Sequence, residues 1–219
     1  MVKIKQFLER VRKPQNNISL TKQIAETAGI ILFGFVLGVL QKLMDGAPTN
    51  AFLEVMQQFG VGNYFGRLAI WILLATIISV YAKSPLRAAI NTFCFFISML
   101  AGYYLYTNYV LGFFPRTYMM IWIVIAFASF FMAYICWYAK GEGFVAIIIS
   151  SVIIGVLLAQ AFSLRIFAQG FYVYHALEVF TWLASVVLLR RKPKEYAIEI
   201  GLSIVVAIGF QIAFPFLIY

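Results

Sequence analysis

The chain has 219 residues, 63% of them hydrophobic and 11% charged, with a mean hydropathy of +0.92. That balance excludes an ordinary water-soluble core and fits a bilayer as solvent. The 17 basic residues exceed the 8 acidic ones for a net charge of +9, yet no nucleic-acid motif accompanies them, and they sit in short connections between apolar runs, where they set orientation. Nucleic acid is therefore not an expected partner.

Backbone polar groups in hydrocarbon must be satisfied within the chain, so helices or a closed barrel are the available spanning structures. Apolar runs of roughly 20 residues fit helices, whereas barrel strands would be about 10 residues long and would alternate polar with apolar. The expected fold is all-α.

Residues 1–23 read as a cytoplasmic basic amphipathic segment. Ile4, Phe7, Leu8 and Val11 share one helical face with cations around the rest. Such a helix could lie on the inner membrane surface, held by apolar burial and anionic lipid, or could be a solvated tail that sets topology. Pro14 ends it in either case. About 23 mostly polar residues precede the first apolar run, and no small-x-small cleavage site ends it, so a retained span is expected rather than a cleaved signal.

Seven spans are expected, at about 24–43, 66–82, 88–111, 117–138, 143–162, 171–189 and 197–218, so that 24–219 forms one membrane domain. The outer loop at about 44–65 carries Phe52, Val55, Met56 and Phe59 at helical spacing after Pro48 and Thr49, with Gly60, Gly62 and Asn63 as a stop, which predicts a short interfacial helix. With the N terminus cytoplasmic and the C terminus outside, 13 basic residues face the cytosol, and only Lys42, Arg67, Arg116 and Arg165 remain outside. That bias obeys the positive-inside rule and requires an odd number of crossings of the cell membrane.

Small residues recur four apart at Ala25 and Gly29, Gly34 and Gly38, Ser129 and Ala133, Ser151, Gly155 and Ala159, and Gly209 and Ala213. Such faces let helix backbones approach closely, within the chain or in a homo-oligomer. No sequence repeat relates the first three spans to the last three.

The polar side chains within the spans carry the functional expectation. Glu178 is placed about seven residues, roughly 10 Å, into the sixth span, where a carboxylate is costly unless it is protonated, paired or facing a polar cavity. His175 shares its face. Gln41, Tyr103, Tyr106, Asn108, Gln160, Trp182 and Gln211 fall at a similar depth on other spans or on the same one. Together these nine residues are expected to line an outward-facing cavity for a small planar or amine-bearing solute. Glu178 would balance a cation or carry a proton, the aromatic faces would stack, and the glutamines would give directional hydrogen bonds. The alternative is a hydrogen-bond network that fixes helix packing in a non-catalytic assembly or scaffold protein. Glu26 and Glu199 are expected near inner helix starts, where a negative side chain favours the helix dipole and the local basic clusters can offset both, and Asn91 is expected to bond across helices.

Other chemistries lack their residues. His175 is the single histidine in the chain, so a zinc-protease site is not expected and no metal or cofactor is called for. Cys94 and Cys136 lie toward the other membrane face, away from any acid–base pair, so an enzyme is not expected. A channel would need Glu178 repeated around an oligomer axis. No phosphate-cradling glycine loop is present, so nucleotide energy would come from a separate energy-coupling subunit. In size and in its outer-facing polar set the chain resembles the substrate-binding subunits of energy-coupling-factor vitamin transporters. That family typically has six spans, and no diagnostic residue motif of theirs is matched here. The resemblance implies a modular importer.

Overall fold

The computed structural model describes residues 2–15, 19–45, 51–113, 116–163, 172–173 and 176–214. In chain order the helices are α1 (Val2–Val11), α2 (Leu20–Met44), α3 (Ala51–Gln58), α4 (Val61–Gly66), α5 (Leu68–Tyr81), α6 (Pro85–Val110), α7 (Arg116–Cys136), α8 (Phe144–Ala161), α9 (Ala176–Leu188) and α10 (Pro193–Ala213). A 3₁₀ turn at Trp137–Lys140 follows α7, and Phe162–Ser163 (β1) pairs antiparallel with Tyr172–Val173 (β2).

Five helices are long and apolar enough to cross a membrane: Leu20–Met44, Pro85–Val110, Met119–Lys140, Phe144–Ala161 and Pro193–Ala213. The protein is helical and of membrane type. Two further apolar helices, α5 with 14 residues and α9 with 13, are shorter. At 1.5 Å per residue they reach about 20 Å, less than the hydrocarbon thickness of about 30 Å.

Local chemistry sets the helix boundaries. Ser19 and Ser84 cap α2 and α6 by accepting from the backbone N–H of Lys22 and Arg87, and Pro85 and Pro193 open α6 and α10, where a missing N–H costs nothing. The expected interfacial helix is two helices. Gly60, at φ 69°, makes the turn between α3 and α4, whereas Gly62 and Asn63 lie inside α4. Only Gly60 takes the left-handed conformation that breaks a helix.

The chain divides into two compact units, Pro14–Gly66 with Tyr81–Tyr134, and Met1–Lys13 with Arg67–Val80 and Ile135–Tyr219. In the first, α2 and α6 pack so closely that a Cβ added at Gly34 would lie 2.5 Å from the carbonyl oxygen of Phe95, and one at Gly38 would lie 2.9 Å from the amide of Tyr103. The contacts climb together along the two helices. Arg87 donates to the carbonyl of Gln23 and the hydroxyl of Thr27, both at 2.7 Å, Thr27 donates to Asn91 at 2.9 Å, and Lys42 donates to Tyr103 at 3.3 Å. The two helices therefore run parallel, and Asn91 bonds across them as its position suggested. α7 returns antiparallel, with Phe127 and Phe130 against Phe93 at ring separations of 5.3 and 6.3 Å.

In the second unit α8 sits between α9 and α10. Ser151 donates to the carbonyl of Glu199 at 3.1 Å, a Cβ at Gly155 would lie 2.6 Å from the carbonyl oxygen of Ser203, and Gln211 donates to the carbonyl of Ala159 at 2.9 Å. Residue numbers again rise together, so α8 and α10 are parallel. The small residues expected to pack on α10, Gly209 and Ala213, face away: nothing approaches Gly209 within 4 Å, and Ala213 is exposed. The buried row is Glu199, Ser203, Ala207 and Gln211, at most 1% exposed. Gly29 likewise meets nothing within 4 Å. A four-residue spacing marks a face, but the partner helix decides which face is used.

Val80, Ala139, Ile154 and Leu189 form a buried cluster joining α5, the 3₁₀ turn, α8 and the end of α9. The N-terminal segment is part of this unit. Val11 is buried, its carbonyl accepts from Glu142 N–H at 2.8 Å, and Arg12 donates to the carbonyls of Trp137 at 2.5 Å and Val80 at 2.9 Å. The guanidinium also lies 4.2 Å from the Trp137 ring centroid, and burial lowers its pKa from the ordinary guanidinium value. The end of α1 is thus anchored to the fold, unlike a solvated tail.

Candidate functional site

The expected site residues fall in both units. Gln41, Tyr103, Tyr106 and Asn108 belong to the unit built on α2 and α6; Gln160, Glu178, Trp182 and Gln211 belong to the one built on α8. His175 lies outside the described residues.

Glu178 occupies the first turn of α9, and the helix does not extend seven residues ahead of it because β2 takes residues that the apolar count assigned to the helix. The helix dipole favours a carboxylate there. It is 1% exposed, and its Oε1 lies 3.0 Å from Nε of Arg67. Arg67 immediately precedes α5, which runs parallel to α9, since Arg67 meets Glu178 at one end while Val80 and Leu189 share a cluster at the other. Sequence reasoning missed this pairing: Arg67 stands among four outer cations at the start of a span, while the depth assigned to Glu178, roughly 10 Å into its own span, set the two at different levels.

Four buried polar atoms here have no hydrogen-bond partner among the described residues: Glu178 Oε1 and Oε2, Trp182 Nε1 and Gln160 Nε2, of which Oε1 has the ion pair with Arg67. Glu178 and Trp182 are one turn apart on one face of α9. The Trp182 ring meets Phe162, at the end of α8, edge to face at 5.5 Å, which ties the α9 residues to the α8 end where Gln160 lies. Gln211 is already satisfied: its amide donates to the carbonyls of Ala159 at 2.9 Å and Phe162 at 2.6 Å. It therefore closes the fraying end of α8 by capping orphan carbonyls.

The other unit looks different. Gln41 donates to the carbonyl of Phe65 at 3.1 Å, and the Tyr103 hydroxyl donates to Asp45 at 2.8 Å while accepting from Lys42 at 3.3 Å. Gln41 and Tyr103 line a cavity with Met99, Leu100, Tyr104 and Trp122, but it holds only about 10 Å³, room for about one water and too little for a solute. Tyr106 is half-buried and Asn108 is exposed near the end of α6. Asp45 and Lys42, which complete the Tyr103 network, carried no signal beyond their proximity to a span end.

Glu199, expected near a helix start with a local basic cluster to offset it, is buried at 0% exposure and paired at 3.3 Å with Arg191 of that cluster. Arg191 also donates to the carbonyls of Gly141, at 2.8 Å, and Ala139. This arginine joins the turn after α7 to α8 and α10.

Among the described residues no three His, Cys, Asp or Glu side chains gather as a metal site. No protein-family model, curated protein or solved structure matches the chain.

Proposed function

We propose that this protein is a cell-membrane transport protein, or the solute-binding membrane subunit of a transporter, whose site lies at the outer ends of α8 and α9. The observation that carries the reading is the set of unmatched buried atoms Glu178 Oε2, Trp182 Nε1 and Gln160 Nε2. Buried polar groups are almost always hydrogen-bonded, and one acceptor with two donors on the neighbouring helices α8 and α9 is the complement of a small polar molecule. A separate energy-coupling subunit or a second copy of the chain, in contact with lipid, would complete the assembly. The chain itself has no catalytic role in this reading.

The proposed topology has seven crossings, N terminus inside and C terminus outside. Two parallel pairs support it. Since α2 and α6 run the same way, the chain between them must return, and α5 is the apolar helix available; α9 returns the chain between α8 and α10 in the same manner.

A second reading, a non-catalytic assembly or scaffold protein, is favoured by Gln41, Tyr103 and Gln211, each satisfied within the chain. Native mass spectrometry from lipid nanodiscs separates the two. On the transport reading a non-lipid adduct accompanies the wild type and the Glu26→Gln control but is lost from Glu178→Gln and Trp182→Phe. Equal adduct occupancy in all four proteins would count against the site.

A further inference from the structure

We infer that the solute is uncharged and planar, accepting hydrogen bonds from Gln160 and Trp182 and donating one to Glu178. The inference rests on the solute-binding reading of this site and assigns its ligand class. Glu178 taken alone would attract an amine. The Arg67 guanidinium, 3.0 Å from Oε1, already supplies that positive charge, so the pair sums to zero. A cationic ligand at the remaining oxygen would share one carboxylate with the guanidinium already paired to it, and the two like charges would repel in a site that screens them poorly. An anionic ligand would meet the remaining carboxylate oxygen, Oε2, which accepts and cannot donate while ionised. A neutral group avoids both penalties and, with Oε1 held by the ion pair, matches the other three unmatched atoms, two N–H donors and one acceptor. A primary amide has the required polarity, with a carbonyl for the donors and an N–H for the carboxylate. The Trp182 and Phe162 rings, 5.5 Å apart, supply an aromatic wall that suits a flat ligand.

Benzamide, benzamidine and benzoate share one shape and carry zero, positive and negative charge, which isolates charge as the variable. Calorimetry in lipid nanodiscs is expected to show benzamide binding at least about tenfold more tightly than either ion. Trp182→Phe keeps the ring, removes the donor and is expected to weaken benzamide about tenfold. Arg67→Gln uncovers the charge of Glu178 and is expected to reverse the preference toward benzamidine, a switch that a purely structural Arg67 would not produce. Wild-type preference for benzamidine or benzoate overturns the neutral-ligand inference and leaves the site intact. Binding of none of the three overturns the site along with it. Benzamide affinity unchanged in Trp182→Phe removes the indole from the ligand contacts and refutes the three-atom match.

Discussion

The Arg191 and Glu199 pair gives the sharpest quantitative test of the fold. Their side chains are 7% and 0% exposed and 3.3 Å apart. At an effective dielectric constant of about 20, charges at that distance attract by about 5 kcal/mol, and removing one member of a buried pair typically costs about 3–5 kcal/mol. The two truncations are not equivalent. Arg191→Met strips Glu199 of its counter-charge, with Oε2 already unmatched, and also leaves the carbonyls of Ala139 and Gly141 without their donor. In Glu199→Gln the guanidinium keeps both carbonyls, and Ser150 at 3.4 Å, so the loss is expected to be about 1–3 kcal/mol. The double variant should fall short of the sum by on the order of 2 kcal/mol, as for residues in direct contact. Unfolding in mixed micelles, followed by the fluorescence of the buried Trp71 and Trp137, measures all three. Additive losses, or Glu199→Gln as costly as Arg191→Met, would refute the hub geometry.

The glycines divide in the same assay. Gly155→Ala forces a Cβ to 2.6 Å from the Ser203 carbonyl oxygen and is expected to cost about 1–3 kcal/mol, while Gly209→Ala meets nothing within 4 Å and should be neutral or stabilising by up to about 1 kcal/mol. Tyr103→Phe deletes the 2.8 Å bond to Asp45, with an expected loss of about 1.5–3 kcal/mol of unfolding free energy, as for a hydrogen bond to a charged group. Arg12→Ala leaves the carbonyls of Trp137 and Val80 without this donor, and hydrogen exchange should show faster opening of the 137–143 turn. For topology, single cysteines at the exposed positions Glu142 and Asn63 should react with an impermeant maleimide only from the cytoplasmic and only from the outer side, respectively; labelling of both from one side would discard the seven-crossing arrangement.

The fold was legible where it depends on composition. Runs of apolar residues locate every long helix to within a few positions, because exclusion from water acts on whole segments and does not require knowledge of a partner. Glycines 34 and 38 were also readable, since α2 uses the face they mark. Gly209 and Ala213 were misleading because α10 turns a different face to α8, and that choice follows from Gly155 and the Glu199–Arg191 pair. The start of the helix that carries Glu178 differs from its expected place for a related reason. Hydropathy cannot distinguish the β1–β2 hairpin from the start of a span, since Phe162, Tyr172 and Val173 are as apolar as the helix that follows.

That displacement changes what Glu178 can do. Deep in a span, an acid with no neighbour would have to be protonated or be met by a cationic ligand, and it would read as a proton carrier. In the first turn of α9 it has the N-terminal end of the helix dipole behind it and Arg67 beside it, so a counter-charge is already supplied within the chain. The shortness of α5 and α9 contributes to this. Helices of about 20 Å cannot bridge the whole hydrocarbon layer unless the bilayer thins or flanking polar groups reach to meet it, and Arg67 and Glu178 stand at the beginnings of these two parallel helices. The pair therefore joins the starts of these two short parallel helices. Neither oxygen of the Glu178 carboxylate has a hydrogen-bond partner, and Oε2 lacks the ion pair that Oε1 makes with Arg67.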